Sequence, residues 1–230
     1  MATAATWAAP DVATLEGPTL TNNSRPTYTG VAEADADVKI YNGTTILGST
    51  RADADGNYSW TPSSNLASGN YSLRAEAVDI AGNTSILSSA LSVTIDTTPP
   101  PKPVIRGFSE GVDTSPTASV QTLAQQILRG TAEAGSQLQI YQDGSLLGVV
   151  AADSTGNWSL DLRYQRNLDG TLVLDGTTNA PIENPYPLGS YQFTAVATDQ
   201  AGNVSDLANT FTLAVTEGSL GILTAYDGTG

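Results

Sequence analysis

The chain has no cysteine and no histidine, and its one methionine is the first residue. Disulfides, thiol catalysis and Cys/His zinc sites are therefore excluded, as is any hydrolase arrangement built on a histidine base. Basic residues are scarce: 9 Lys and Arg stand against 23 Asp and Glu, a formal charge of −14. Nucleic acid needs its phosphates neutralised by Lys and Arg, and anionic membranes attract polybasic segments. Neither is an expected partner. No apolar run approaches the ~20 residues of a membrane helix, so no membrane insertion is expected. No basic n-region followed by an apolar h-region opens the chain, so no signal peptide is expected. The opening "MATAATWAAP" reads as an internal stretch given a start codon. What an acidic, thiol-free chain can attract is a hard cation held through oxygen.

What is present is repetition. Residues 30–60, "GVAEADADVKIYNGTTILGSTRADADGNYSW", align without gaps on 130–160, "GTAEAGSQLQIYQDGSLLGVVAADSTGNWSL". Farther on, "AVDIAGN" (77–83) returns as "ATDQAGN" (197–203). An internal repeat of this length makes the chain two copies of one domain. The second copy carries about 20 extra residues, within 162–187. The expected boundaries are 10–96 for the first domain and 97–218 for the second, with 219–230 a tail or the start of another domain.

Within each copy the apolar period is 2. Tyr71, Leu73, Ala75 and Ala77 alternate with Ser72, Arg74 and Glu76, and Tyr191, Phe193, Ala195 and Ala197 do the same. Such alternation marks a strand buried on one face. Short Thr/Val/Tyr-rich segments separated by "DADGN", "DSTGN" and "IAGN" turns predict an all-β fold. It consists of two tandem immunoglobulin-like antiparallel sandwiches. Tyr71 and Tyr191, each opening a late strand, fit either a tyrosine corner or a plain core aromatic. Between the copies, "IDTTPPPKP" (95–103) is expected to act as a short semi-rigid spacer, because its prolines fix φ.

Counting strand reversals places Glu33, Asp35, Asp53, Asp55, Asp79 and Asn83 at one pole of the first copy. The chain enters at that pole and leaves at the other. The linker then delivers Asp96 toward the acidic pole of the second copy, where Glu133, Asp199, Asp153 and Asn203 are expected. Carboxylates a few ångströms apart repel by roughly 1 kcal/mol or more per pair, and a divalent cation turns that repulsion into cohesion. Oxygen-only ligands on irregular loops suit Ca²⁺ better than Mg²⁺. Asp and Asn are also ordinary turn formers. Asp55 and Asp35 are read that way, since the second copy has Thr155 and Gly135 in their places. Glu33/Glu133 and Asp79/Asp199 recur in both copies.

The combination of G-x-A-E-A, a GN-[YW]-S turn, D-x-A-G-N and IDTTPP, present nearly twice over, resembles the bacterial Ig-like repeats of giant repeats-in-toxin adhesins. The resemblance implies type I secretion to the bacterial surface and tandem extenders stiffened by Ca²⁺ near domain junctions. It further implies that neighbouring Ig-like domains of the same, monomeric chain are the partners. It carries a ligand role to Asp96, Glu133 and Asp199, and in the first copy to Glu33 and Asp79. Thr6 stands where an incoming Asp would align, with Asp11 a substitute, and the second copy ends without D-T-T-P-P.

The extra residues 162–187 predict an added hairpin at the exit pole. Tyr164, Tyr186 and Asp175 there suit either a glycan site or packing against another domain. No catalytic constellation is found: no paired carboxylates across a cleft, no Gly-Lys phosphate cradle, no EF-hand spacing in "NLDGT" or "YDGTG". The expected role is a spacer, with a glycan- or protein-binding module as the alternative, and not an enzyme.

Overall fold

The computed structural model describes residues 9–108, 117–118, 127–165, 167, 171–182 and 189–215. The chain divides into two compact units, Met1–Thr98 and Pro99–Gly230. Among the described residues every regular element is a strand.

Domain one contains β1 (Leu20–Thr21), β2 (Tyr28–Val31), β3 (Asp37–Asn42), β4 (Thr45–Arg51), β5 (Asn57–Trp60), β6 (Gly69–Val78) and β7 (Leu91–Ile95). Five form one sheet in the order β1-β7-β6-β3-β4, and β2 pairs with β5 in the other. The segment before β1 joins the smaller sheet, as Thr14 N–H donates to the Val31 carbonyl and Glu16 exchanges bonds with Thr29. The chain then crosses over, and β1 lies parallel to β7. The period-2 pattern becomes burial. Leu73, Ala75 and Ala77 of β6 are fully buried, with Val38 and Ile40 of β3, Val93 and Ile95 of β7, and Tyr28, Tyr58 and Trp60 of the smaller sheet. Tyr28 and Trp60 stack with centroids 6.1 Å apart. Tyr71 Oη donates to the Ala67 carbonyl at 2.8 Å, so the tyrosine corner is the reading that holds in domain one.

Domain two repeats the plan with β8 (Val104–Phe108), β9 (Thr117–Ala118), β10 (Ile127–Thr131), β11 (Gln137–Gln142), β12 (Ser145–Ala151), β13 (Asn157–Asp161), β14 (Gly189–Thr198) and β15 (Phe211–Val215). The sheets are β12-β11-β14-β15-β9 and β13-β10-β8. Its core holds Leu138, Ile140, Phe193, Ala195, Leu213 and Trp158, and Phe108 meets the Phe193 and Phe211 rings at 5.7 Å. The expected all-β sandwich pair is therefore the observed fold. The insertion begins where β13 ends. Among its described residues an antiparallel arm is formed in which Leu174 pairs with Pro181, and Val173 bonds both Gln165 and Ile182.

Strand register fixes the poles. Asp37 lies opposite both Arg51 and Val78, so the loops after β2, β4 and β6 share one end of domain one. Ile95 lies opposite Gly69, so the chain leaves from the other end. In domain two Gln137 lies opposite Ala151 and Thr198, and Val104 lies opposite Thr131, so the chain enters at the matching end. Val215 lies opposite Gly189, at the far end. Each domain is thus traversed end to end.

Candidate metal centre at the acidic poles

The D-x-A-G-N turn is built twice in the same way. Asp79 ends β6, and its Oδ1 accepts the Asn83 N–H at 2.8 Å while Oδ2 accepts Asn83 Nδ2 at 2.7 Å. The main chain closes the same loop, with Asp79 N–H donating to the Asn83 carbonyl and Gly82 N–H donating back to Asp79. Asp199 and Asn203 repeat both side-chain bonds at 2.8 Å. Gly82 and Gly202 sit at φ +89° and +95°, in the left-handed region that favours glycine.

These contacts set the carboxylates' acidity. The Asn83 amide is the largest influence on Asp79 and, with backbone donors, holds its carboxyl below the usual range. For Asp199, burial pushes upward, and the Asn203 side-chain and backbone bonds outweigh it to leave a net lowering. Asp153 is lowered chiefly by the Thr155 hydroxyl, which donates to Oδ1 at 2.7 Å beside the N–H groups of Thr155 and Asn157. Asp53 holds the N–H groups of Asp55 and Asn57 in the equivalent turn.

The glutamates behave differently. Glu33 and Glu133 open tight turns through their carbonyls, which accept from Ala36 and Ser136 N–H. Their carboxylates are exposed, and neither makes a side-chain bond among the described residues. Asp35 stands at φ +61°, where Gly135 stands at +78° in domain two, and Asp35 pairs loosely with Arg51 at 3.8 Å. Asp96 closes β7 at the exit pole, and its Oδ1 accepts the Thr98 N–H at 3.0 Å.

Register therefore gathers Glu33, Asp53 and Asp79 at one pole of domain one, and Glu133, Asp153, Asp199 and Asn203 at the corresponding pole of domain two. Asp96 belongs to domain one's opposite end. Within each domain, and among the described residues, no group of three or more acidic side chains comes close enough to hold a metal ion. Asp53, Asp79, Asp153 and Asp199 already serve their own turns. Thr6 and Tyr186 lie outside the described residues. In the insertion, Asp175 Oδ1 accepts from the Thr177 and Thr178 N–H groups and the Thr178 hydroxyl, a turn-forming role. Arg163 is fixed by Asp161 at 2.6 Å and covers one face of the Tyr164 ring, 5.5 Å from its centroid.

One feature of the pole escapes the residue pattern. After the turn, residues 84–88 run beside the last part of β6. Ser85 and Ser88 hydroxyls accept the Ala77 and Ala75 N–H groups at 3.0 and 2.9 Å, and Ser205 repeats this at Ala197. The "NTSILS" and "NVS" stretches carry the only sequence signal for it, a serine two residues after each Asn.

The family model described as Bacterial Ig-like domain matches residues 3–97. No curated protein sequence matches the chain. Among solved structures, the chain is similar to the fibronectin(III)-like modules of Clostridium thermocellum CbhA, at 16% identity and TM-score 0.45, over 91% of this chain and 96% of that one. It is similar to the BSP domain of a biofilm associated protein at 15% identity and TM-score 0.32, over 90% of this chain and 30% of that one. It is also similar to a tetra-tandem repeat in the extending region of a large adhesion protein, at 17% identity and TM-score 0.35, over 89% and 49% of the two chains.

Proposed function

We propose that the chain is a Ca²⁺-stiffened extender from a large bacterial surface adhesin, secreted by a type I system of the repeats-in-toxin kind. The observation that carries the spacer role is the end-to-end path. Both domains take the chain in at the acidic pole and release it at the opposite one, which is the requirement for a string that gains length with every repeat. A ten-residue strand such as β6 spans roughly 33 Å, so each domain adds a substantial step. The bacterial Ig-like match over residues 3–97 supports a non-catalytic structural module.

The calcium part rests on ligand chemistry. Asp96 stands three residues before Pro99, where domain two begins. Asp96, Glu133 and Asp199 would hold the ion, assisted by Asp153 and Asn203, and Glu33 and Asp79 would serve domain one's pole. Bound Ca²⁺ would supply only charge and coordination, holding neighbouring domains of one monomeric chain in register. Extracellular modules bind Ca²⁺ at about 10⁻⁴–10⁻³ M.

The test is calorimetric titration with Ca²⁺, on the chain and on Glu133→Gln, alongside X-ray scattering with and without EDTA. Saturable binding weakened by Glu133→Gln, with a broader size distribution in EDTA, is expected. Absence of binding heat, together with identical scattering in both conditions, would remove calcium from the proposal.

A further inference from the structure

We propose that the outer face of the smaller sheet in domain two is a binding site for an acidic polysaccharide, held through its carboxylate groups by Arg106 and Arg129. The choice of a glycan rests on the surface role proposed above, while the arginine site itself needs neither that role nor a metal. A β-bulge brings the two side chains together. Arg129 of β10 lies opposite Gly107 of β8, and the register then shifts, so that Gly130 lies opposite Ile105. Arg106 is thereby the extra residue of the bulge, and both bulged residues stand against Arg129. Ile105, Phe108 and Leu128 are buried in the core, which leaves Arg106 exposed and Arg129 half-buried on the same outer face. Gly107, at φ +126°, adds no side chain to crowd them.

Among the described residues neither arginine is neutralised. The three strands β8, β10 and β13 contain one acidic residue, Asp161, and Arg163 holds it through both carboxylate oxygens. No ion pair among the described residues reaches Arg106 or Arg129, and Arg129 Nε is buried with no hydrogen-bond partner. Like charges side by side on a sheet repel, and a buried N–H without an acceptor is a cost that a carboxylate oxygen removes. Domain one shows that the fold does not require this pair. A Cβ on Gly30 or Gly130 would meet the carbonyl oxygen of Thr14 or Val104 respectively, so these positions correspond. Glu16 therefore answers Arg106, and Thr29 answers Arg129. Both replacements favour an anion in domain two, and β2 and β5 hold no basic residue.

The surroundings favour a polysaccharide over an acidic peptide. β10 is the central strand of its sheet and is paired on both sides, so its main chain offers nothing to a peptide that adds as a strand. Recognition falls to side chains on an open face. Neighbouring strands are about 4.8 Å apart, comparable with the length of one sugar ring, so the two guanidinium groups can share one carboxylate or take successive ones along a polymer. Exposed Ser159, opposite Arg129 on β13, supplies a hydroxyl for the ring. The acidic pole begins at Glu133, beyond the end of β10 at Thr131, and physiological salt confines its repulsion to about 8 Å.

The experiment is calorimetric titration of the whole chain, in EDTA, with three probes: oligogalacturonate, its uncharged methyl ester, and polyglutamate. Oligogalacturonate should bind, more weakly as salt is raised, and the methyl ester should not. Arg106→Glu combined with Arg129→Thr gives this face domain one's residues and should weaken binding about tenfold or more. Arg106→Gln alone, at an exposed position, should weaken it a few-fold, and it serves as the test if the double variant does not fold. Lys102→Gln removes a positive charge elsewhere in the same unit, one that pairs with Asp206, and should leave binding unchanged. No binding of oligogalacturonate, equal binding of the methyl ester, or a loss with Lys102→Gln as large as with Arg106→Gln would overturn the site. Polyglutamate binding as tightly as oligogalacturonate, or more tightly, would overturn the polysaccharide in favour of an acidic protein partner. Because EDTA removes calcium, failure of the metal proposal would leave this result untouched, and failure here would leave the calcium titration standing.

Discussion

The acidic poles of the two domains carry the same loops with different residues, and the differences separate backbone duties from spare chemistry. Asp35 and Gly135 occupy one left-handed position, which either residue can adopt. Asp55 and Thr155 both offer an N–H to the aspartate two residues earlier. Asp79 and Asp199 are the same residue because both carboxylate oxygens are used in holding an Asn. Their recurrence is explained by the turn alone. Glu33 and Glu133 recur too, yet their exposed carboxylates make no side-chain bond among the described residues. Under the proposed calcium role Glu133 joins Asp199 as a ligand, and of the two carboxylates only that of Asp199 is also engaged in a turn of its own domain. The hairpin turns teach the same lesson. Gly43 alone has positive φ in "NGTT", a II′-like turn, whereas Asp143 and Gly144 both do, a type I′ turn. Asn42 Oδ1 and Asp143 Oδ1 nonetheless accept equivalent N–H groups, from Ser72 and Gln192.

The largest test of equivalence is steric. A Cβ on Gly30 would lie 2.1 Å from the Thr14 carbonyl oxygen, and one on Gly130 would lie 2.1 Å from that of Val104. Gly30→Ala and Gly130→Ala should each cost more than about 3 kcal/mol, read as loss of one of two calorimetric transitions. A mild effect in one copy would show that its smaller sheet can shift.

Asp79→Ala and Asp199→Ala should lower the melting temperature of their own domains comparably in EDTA, because both remove the same two-bonded turn. In saturating Ca²⁺ the Asp199 change should become the larger of the two. Equal losses in both conditions would reduce Asp199 to a turn residue.

Acid should weaken both poles together. Asp79, Asp153 and Asp199 all have folded-state pKa values lowered from the ordinary aspartate value. Their contribution is therefore complete above an unfolded pKa of about 3.9 and is lost as pH falls through the lower folded values. Melting temperatures should be flat from neutral pH to about 5 and fall below about 4. A fall that starts near neutrality would point to other groups.

The smallest effect should come from exchanging the left-handed residues. Gly135→Asp and Asp35→Gly should each change stability by about 1 kcal/mol or less, measured by denaturant titration. Gly135→Asp has the added cost of a Cβ 2.9 Å from the flexible Gln200 amide.

Much of this was legible in the residues because a period of 2 has one physical reading. Leu73, Ala75 and Ala77 alternate with polar residues, and alternate residues of a strand face opposite sides. Counting reversals between the turns then places the loops, and the register agrees for Glu33, Asp53 and Asp79. The parallel β1–β7 pairing was not legible. "TLTNN" has no apolar rhythm, and a two-residue strand is defined by its partner's open edge and not by its own side chains. The carboxylate roles were hidden for a related reason. An aspartate in a turn and an aspartate on a metal share one letter, and only the Asn amides set against Asp79 and Asp199 tell which donors are already in use.

By itself, then, the sequence determined the repeat, the sandwich class, the core faces and the pole that each acidic loop occupies, since these follow from periodicity and strand reversal. Only the tertiary structure decided which carboxylates are committed to turns and which short strand closes the edge of each larger sheet. Both depend on hydrogen bonds between groups brought together by folding, and no local pattern encodes such bonds.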